Sequence, residues 1–126
     1  MGRAVDFADV RRHVAEFGDR ATLITVTTSG TPHVVSTVVE VTDSRLRTRV
    51  GQRTADNLGE HPGLTVVWQP VDGGEYQLIL DGVVDPAGAD AGVDGVTVIS
   101  IEVTNGILHR LAELPGDGPS CVALGD

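Results

Sequence analysis

Residues 22–63 read TLITVTTSGTPHVVSTVVEVTDSRLRTRVGQRTADNLGEHPG, and this stretch decides the fold class. Three runs that are β-branched or that alternate between apolar and polar residues are separated by short turns, which is typical of successive antiparallel strands. A Gly-Gln pair then ends the third run, and a short polar segment closing on Pro-Gly predicts a helix. The predicted strands occupy 22–28, 32–41 and 45–50, and the predicted helix occupies 53–61.

The rest of the chain extends this pattern in both directions. A helix with apolar residues at helical spacing is predicted before it, and further strands are predicted after it. Asn105-Gly106 is the strongest short turn signal in the sequence and predicts a final hairpin. Strands that follow one another, rather than alternating with helices, favour an antiparallel sheet closed or nearly closed on itself. The additional helix is predicted at 6–18 and the additional strands at 64–70, 75–85, 96–104 and 107–113.

The overall composition excludes several classes of function. With 126 residues and a formal net charge of −9, the chain is expected to form one domain that binds neither nucleic acid nor anionic membranes. No stretch approaches the roughly 20 apolar residues needed to span a bilayer, and the N-terminus lacks a hydrophobic signal core. The four histidines and the single cysteine, Cys121, are scattered, so neither a metal site nor a disulfide framework is expected. We therefore expect a cytoplasmic protein, with a loosely held tail at 114–126 that is rich in Gly and Pro.

A basic segment interrupts this acidic chain. Residues 45–53 contain four arginines and no acid, whereas residues 64–126 contain one arginine and ten acids. A solvated strand face would account for the segment, but so would an anion site, because arginine offers bidentate donors suited to phosphate. The segment also runs through Gly51 into a helix start, where free N–H groups and the helix dipole attract anions. The residues expected to hold such an anion are Arg49, Gly51, Gln52, Arg53, Thr54 and Asn57.

Further along, several short motifs occur in an order that resembles a known family. Gly30 is followed by Pro32-His33, then by Asn57-Leu58 with Pro62, and later by Asp81-Gly82. This order resembles the flavin-binding split β-barrel superfamily of pyridoxamine 5′-phosphate oxidase, in particular its compact members that bind FMN or the deazaflavin F420. The resemblance covers about residues 6–85. It implies a mainly β fold, a split β-barrel of about seven antiparallel strands with two short helices, formed by residues 1–126 as a single domain.

The same resemblance implies where a cofactor would bind. The family forms homodimers with two cofactor sites in the interface, and the phosphate lies in the loop that corresponds to 51–54 here. The end of the preceding strand adds either Thr48 or Arg49, which face opposite ways. The ring lies along the second strand beside Ser36 and Thr37, and Gln77 resembles a glutamine that the partner subunit offers to the flavin. The expected cofactor is FMN, with F420 as the alternative.

The chain also departs from the family, and this leaves the function open. Its second strand carries Val35, Val38 and Val39 where the vitamin B6 oxidase carries further basic residues, so oxidation of pyridoxamine phosphate is not expected. The favoured function is an oxidoreductase that transfers hydride between the flavin and an unknown small molecule, with no side chain assigned as catalytic. The alternatives are a non-enzymatic flavin or haem carrier, for which His33, His61 or His109 would matter, and a dimeric interaction module without cofactor.

Overall fold

A computed structural model describes residues 5–85, 90–91, 95–112 and 118–125. The first seven elements each begin and end within two residues of the sequence prediction, because apolar alternation and turn residues mark both ends of each of them. The elements are α1 (Phe7–Phe17), β1 (Arg20–Val26), β2 (Pro32–Val41), β3 (Leu46–Val50), α2 (Gln52–Glu60), β4 (Gly63–Trp68), β5 (Tyr76–Val84), β6 (Asp90–Ala91), β7 (Thr97–Arg110) and β8 (Cys121–Ala123).

Six of these strands close into an antiparallel barrel in the order β3-β2-β1-β4-β5-β7, with β3 pairing back to β7. The short strands β6 and β8 both pair with β7. The prediction of a mainly β split barrel with two helices is confirmed. None of the helices in the described ranges is long and apolar enough to cross a membrane.

The barrel interior is filled by aliphatic side chains from alternate positions of each strand. Leu23, Leu46 and Leu78 have no exposed surface, and Val10 of α1 packs with them. Trp68 is also fully buried, and its Nε1 donates a hydrogen bond to the carbonyl oxygen of Gly18 at 2.9 Å. Trp68 is therefore a core aromatic that fixes the turn between α1 and β1.

The predicted hairpin at Asn105-Gly106 is wrong, because β7 runs through these residues without a turn. The register between β5 and β7 shifts between Asp81 and Gly82, so that Thr104 is an extra residue and forms a β-bulge. Gly106 is needed for packing: a Cβ atom there would lie 2.5 Å from Leu124 Cδ1 and 2.8 Å from Leu80 Cδ2. Part of the tail is also ordered by pairing, since Cys121–Ala123 forms β8, although residues 113–117 and 126 lie outside the described ranges.

Candidate functional site

The barrel opens between β2 and β3. These strands share only three residue pairs, from Val39–Thr48 to Val41–Leu46, after which β2 stays with β1 while β3 pairs with β7. Because the two strands separate beyond Val39, a groove of about 710 Å³ remains between them. The groove is lined by Ser36, Thr37, Val38, Glu40, Arg47, Thr48, Arg49 and Val98.

Strand β3 presents Thr48 and Arg49 to this groove in different ways. Thr48 is buried, and its hydroxyl donates to the carbonyl oxygen of Val38 at 2.8 Å and contacts the hydroxyl of Thr37. These contacts tie β2 to β3 where their ladder ends. Arg49 is exposed on the opposite face of the strand, next to Arg47. Both residues that the sequence left as alternatives therefore line the groove, with Thr48 tying the strands together and Arg49 offering the cation.

The arginines of the described ranges divide into two groups. Four have carboxylate or carbonyl partners: Arg11, Arg12, Arg45 and Arg110. The other four make no hydrogen bond or ion pair in the part of the chain that the structure describes: Arg20, Arg47, Arg49 and Arg53. Unpaired guanidinium groups in a chain of net charge −9 retain their full capacity for charge-assisted bonds to an anion.

Helix α2 begins beside this groove with its N-terminus open. Its N-cap is Gly51, with no side-chain cap bond and no acid in the first turn. In α1, by contrast, Asp6 accepts a bond from the Ala8 N–H at 3.0 Å and Asp9 lies in the first turn. The open N–H groups and the positive end of the helix dipole therefore remain for an external anion.

The other residues predicted around this helix start are already engaged. The amide of Gln52 donates to Asp56 within the helix at 2.8 Å. Thr54 and Asn57 are buried, and the Asn57 amide donates to the Thr25 hydroxyl at 3.2 Å, which fastens α2 to β1. At Gly51, Gln52 and Thr54 the backbone N–H groups, rather than the side chains, are what remains for a ligand.

The structure does not bring Gln77 to the groove of its own chain. Gln77 lies opposite His109 on β7, whereas Arg49 lies opposite Val98. These two β7 residues are eleven positions apart, up to roughly 36 Å along an extended strand.

The histidines are also dispersed. His61 borders a separate shallow hollow of about 420 Å³ that includes Asp81. No group of three or more His, Cys, Asp or Glu side chains among the described residues is suited to hold a metal ion.

Arg20 lies next to this groove, paired with the lining residue Val38, and the sequence had not indicated it. It begins β1, is exposed, and lies directly opposite Val38 of β2. The sequence did not give this pairing, because a two-residue turn at Ser29-Gly30 would place Ala21 against Val38. The actual loop has three residues, 28–30, and shifts the register by one position, which brings Arg20 there. Of the four unpaired arginines, Arg47 and Arg49 line the groove, Arg20 is paired with the lining residue Val38, and Arg53 stands in the first turn of the helix that follows β3.

Comparison with known proteins identifies the fold. No protein-family model matches the chain, and no curated protein matches it. Among solved structures it is similar to an F420 reductase, with 18% sequence identity, 70% of this chain and 88% of that chain covered, and a TM-score of 0.59. It is also similar to a pyridoxamine 5′-phosphate oxidase-related, FMN-binding protein from Nostoc punctiforme (14% identity, 91% and 83% covered, TM-score 0.61). A third similar structure is a haem storage protein from Vibrio cholerae (13% identity, 79% and 92% covered, TM-score 0.62). The chain therefore has the split β-barrel fold of the pyridoxamine 5′-phosphate oxidase-like proteins.

Proposed function

We propose that this chain binds FMN, or alternatively F420, in the groove between β2 and β3, and that it is a cytoplasmic oxidoreductase. The observation that carries the proposal is the set of unpaired arginines, Arg47, Arg49 and Arg53, beside the uncapped start of α2. Both FMN and F420 carry a phosphate, and the donors present fit that group. Proteins similar in fold include an FMN-binding protein and an F420 reductase, which supports this class of cofactor.

Each part of the groove has a role in this proposal. Arg53 and the open N–H groups of α2 hold the phosphate, and Arg49 reaches it from β3. Ser36 and Thr37 border the ring along β2. When bound, the flavin supplies hydride transfer to or from a small molecule, while the protein binds and orients the reactants.

A homodimer completes the site in this proposal. One outer face of the barrel carries two apolar pairs, Val34–Ile24 on β2 and β1 and Val67–Ile79 on β4 and β5. The pairs lie diagonally to each other, because Ile24 is opposite Thr65 and Val67 is opposite Thr22; we call this surface the apolar face. Val34 is 58% exposed, which is a large exposure for an aliphatic strand residue. A second copy that covers this face would also bring its own Gln77 to the partner's groove.

Cofactor titration of the purified protein tests the proposal. Visible spectra with FMN, F420 and haem measure which of them binds, and turnover with a hydride donor then measures catalysis. Micromolar FMN or F420 binding with turnover supports an oxidoreductase, and binding without turnover indicates a carrier. Haem binding alone would favour the function of the Vibrio cholerae haem storage protein, which shares the fold. Failure to bind any of the three would contradict the proposal and favour an interaction module.

A further inference from the structure

Two hydrogen bonds anchor the backbone just before Arg20, which is paired with Val38 of the groove lining. The turn before Arg20 is fixed by the Trp68 indole, which donates to the Gly18 carbonyl oxygen at 2.9 Å. The Asp19 carbonyl accepts a bond from the Val39 N–H at 2.6 Å, so the backbone beside Arg20 is bonded to β2. The guanidinium itself makes no bond or ion pair within the described ranges. An anchored backbone that carries an unpaired guanidinium group is suited to binding an anionic ligand.

Arg20 and Arg49 lie on opposite sides of Val38. Val38 is paired with Arg20 on one side, and on the other side it faces the gap that separates β2 from β3. Two strand spacings place the Cα atoms of the two arginines roughly 10 Å apart or more. Val38 is 59% exposed between them, so the surface that joins the two cations is apolar.

This layout restricts the ligand that can use both cations. It must carry a negative group at each end and an apolar or planar part between them. Glu40, the acid in the groove lining, lies directly opposite Arg47, so its charge offsets Arg47 more than it offsets Arg20 or Arg49. An anionic group therefore gains the most electrostatic stabilisation beside Arg20 and Arg49.

We propose that Arg20 is a second anion-contacting residue of the groove and that it stabilises the pyrimidine edge of the flavin ring after reduction. This inference rests on the proposed function, in which the phosphate occupies the other end of the groove. If FMN binds here, its reduction by hydride would add two electrons and one proton, so the bound cofactor would gain one negative charge that the Arg20 guanidinium could stabilise. A guanidinium beside the pyrimidine edge binds the reduced ring more tightly than the oxidised ring, and therefore makes bound FMN easier to reduce.

The test is the midpoint potential of FMN bound to the wild type and to Arg20→Gln, Arg20→Lys and Arg12→Gln. Arg12 is the matched control, because it is an exposed arginine whose partner is Asp9 on α1. Reductive titration against a reference dye gives the potential, and quenching of flavin fluorescence gives the affinity for oxidised FMN. We expect Arg20→Gln to weaken binding of reduced FMN about tenfold more than that of oxidised FMN, which lowers the potential by about 30 mV. Arg20→Lys is expected to recover most of this shift, and Arg12→Gln to cause none.

The possible failures are distinguishable. If the wild type binds FMN but Arg20→Gln has the wild-type potential, the role of Arg20 is refuted and the proposed function stands. Equal weakening of oxidised and reduced FMN would also refute it, because Arg20 would then contact a part of the cofactor that does not change on reduction. If the wild type does not bind FMN at all, both the proposed function and this inference fail.

Discussion

The arginines of this chain have different roles, and the hydrogen-bond partners of each arginine determine its role. Arg11 donates to the carbonyl oxygens of Thr42 and Asp43 at 2.7 and 3.0 Å, and so ties α1 to the turn between β2 and β3. Arg53 has no such partner in the described part of the chain and stands in the first turn of α2. Composition counts these arginines alike, whereas hydrogen bonding separates the structural ones from those free to bind a ligand.

The first prediction concerns Arg53. Replacing it in Arg53→Ala removes one charge-assisted bond to the phosphate, and we expect FMN affinity to fall roughly ten- to hundredfold. Fluorescence titration measures the change. Riboflavin, which lacks the phosphate, is the control ligand, and its affinity should not change. An unchanged FMN affinity would show that the phosphate binds elsewhere.

A second prediction at this scale concerns Gly82. A Cβ atom there would lie 2.7 Å from the Glu102 carbonyl oxygen and 2.7 Å from Ile101 Cγ2. Because one of these atoms belongs to the backbone of β7, it cannot move aside alone. We expect Gly82→Ala to lower the free energy of unfolding by about 1–3 kcal/mol in urea denaturation. Gly63→Ala is the control: a Cβ there meets nothing within 4 Å, so its effect should stay within about 0.5 kcal/mol. Equal effects of the two substitutions would contradict this explanation.

At the scale of elements, the sequence predicted the strands and helices whose bounds depend on neighbouring residues. The hairpin of β1 and β2 follows from two β-branched runs around Ser29-Gly30. Its exact register depends on the three-residue loop 28–30, which the turn residues alone do not specify. The error at Asn105-Gly106 has a non-local cause: a glycine is required at position 106 because the side chains of Leu80 and Leu124 leave no room for a Cβ atom there. The separation of β2 from β3 also depends on pairing with β7, a strand about 50 residues later, so no local pattern could reveal the groove.

Helix α1 carries a prediction of its own. His13 is buried, and neither ring nitrogen has a hydrogen-bond partner in the described structure; the nearest carboxylate oxygen, Glu16 Oε2, is 3.9 Å from Nδ1. A leucine would fill much of this space without an unsatisfied polar atom. We therefore expect His13→Leu to raise the free energy of unfolding by about 1 kcal/mol in urea denaturation.

Glu16→Gln is the matched control for His13. It tests whether the distant carboxylate stabilises the imidazole, and we expect it to change the free energy of unfolding by less than about 0.5 kcal/mol. A destabilised His13→Leu variant would show that the histidine makes a stabilising interaction after all.

At the scale of the whole molecule, we expect two copies to associate through side chains on an outer face of the barrel. The apolar face includes Val34 of β2, an outer one of its four strands, and Val34 is 58% exposed. We expect the protein to be a dimer at micromolar concentration and Val34→Asp to be a folded monomer, because a buried unpaired carboxylate is costly at an interface. Sedimentation velocity measures the change. Val71→Asp is the control, since Val71 is 44% exposed in the turn between β4 and β5 and is not part of the strands that form this face. A monomeric wild type would rule out the dimer.

Closure of the sheet through the β3–β7 pairing has a consequence for how this chain behaves at high concentration. Each of the six barrel strands has a hydrogen-bonded neighbour on both sides over at least part of its length, which leaves little free main chain as a template for another molecule. Residues 32–38 of β2 are an exception, because they pair with β1 but not with β3. In the described ranges, the strands at the end of a ladder are β6 and β8, of two and three residues. Assemblies that grow by adding strand to strand, as fibrils do, are therefore disfavoured wherever both sides of a barrel strand are paired, and the groove-side edge of β2 is where such growth could begin.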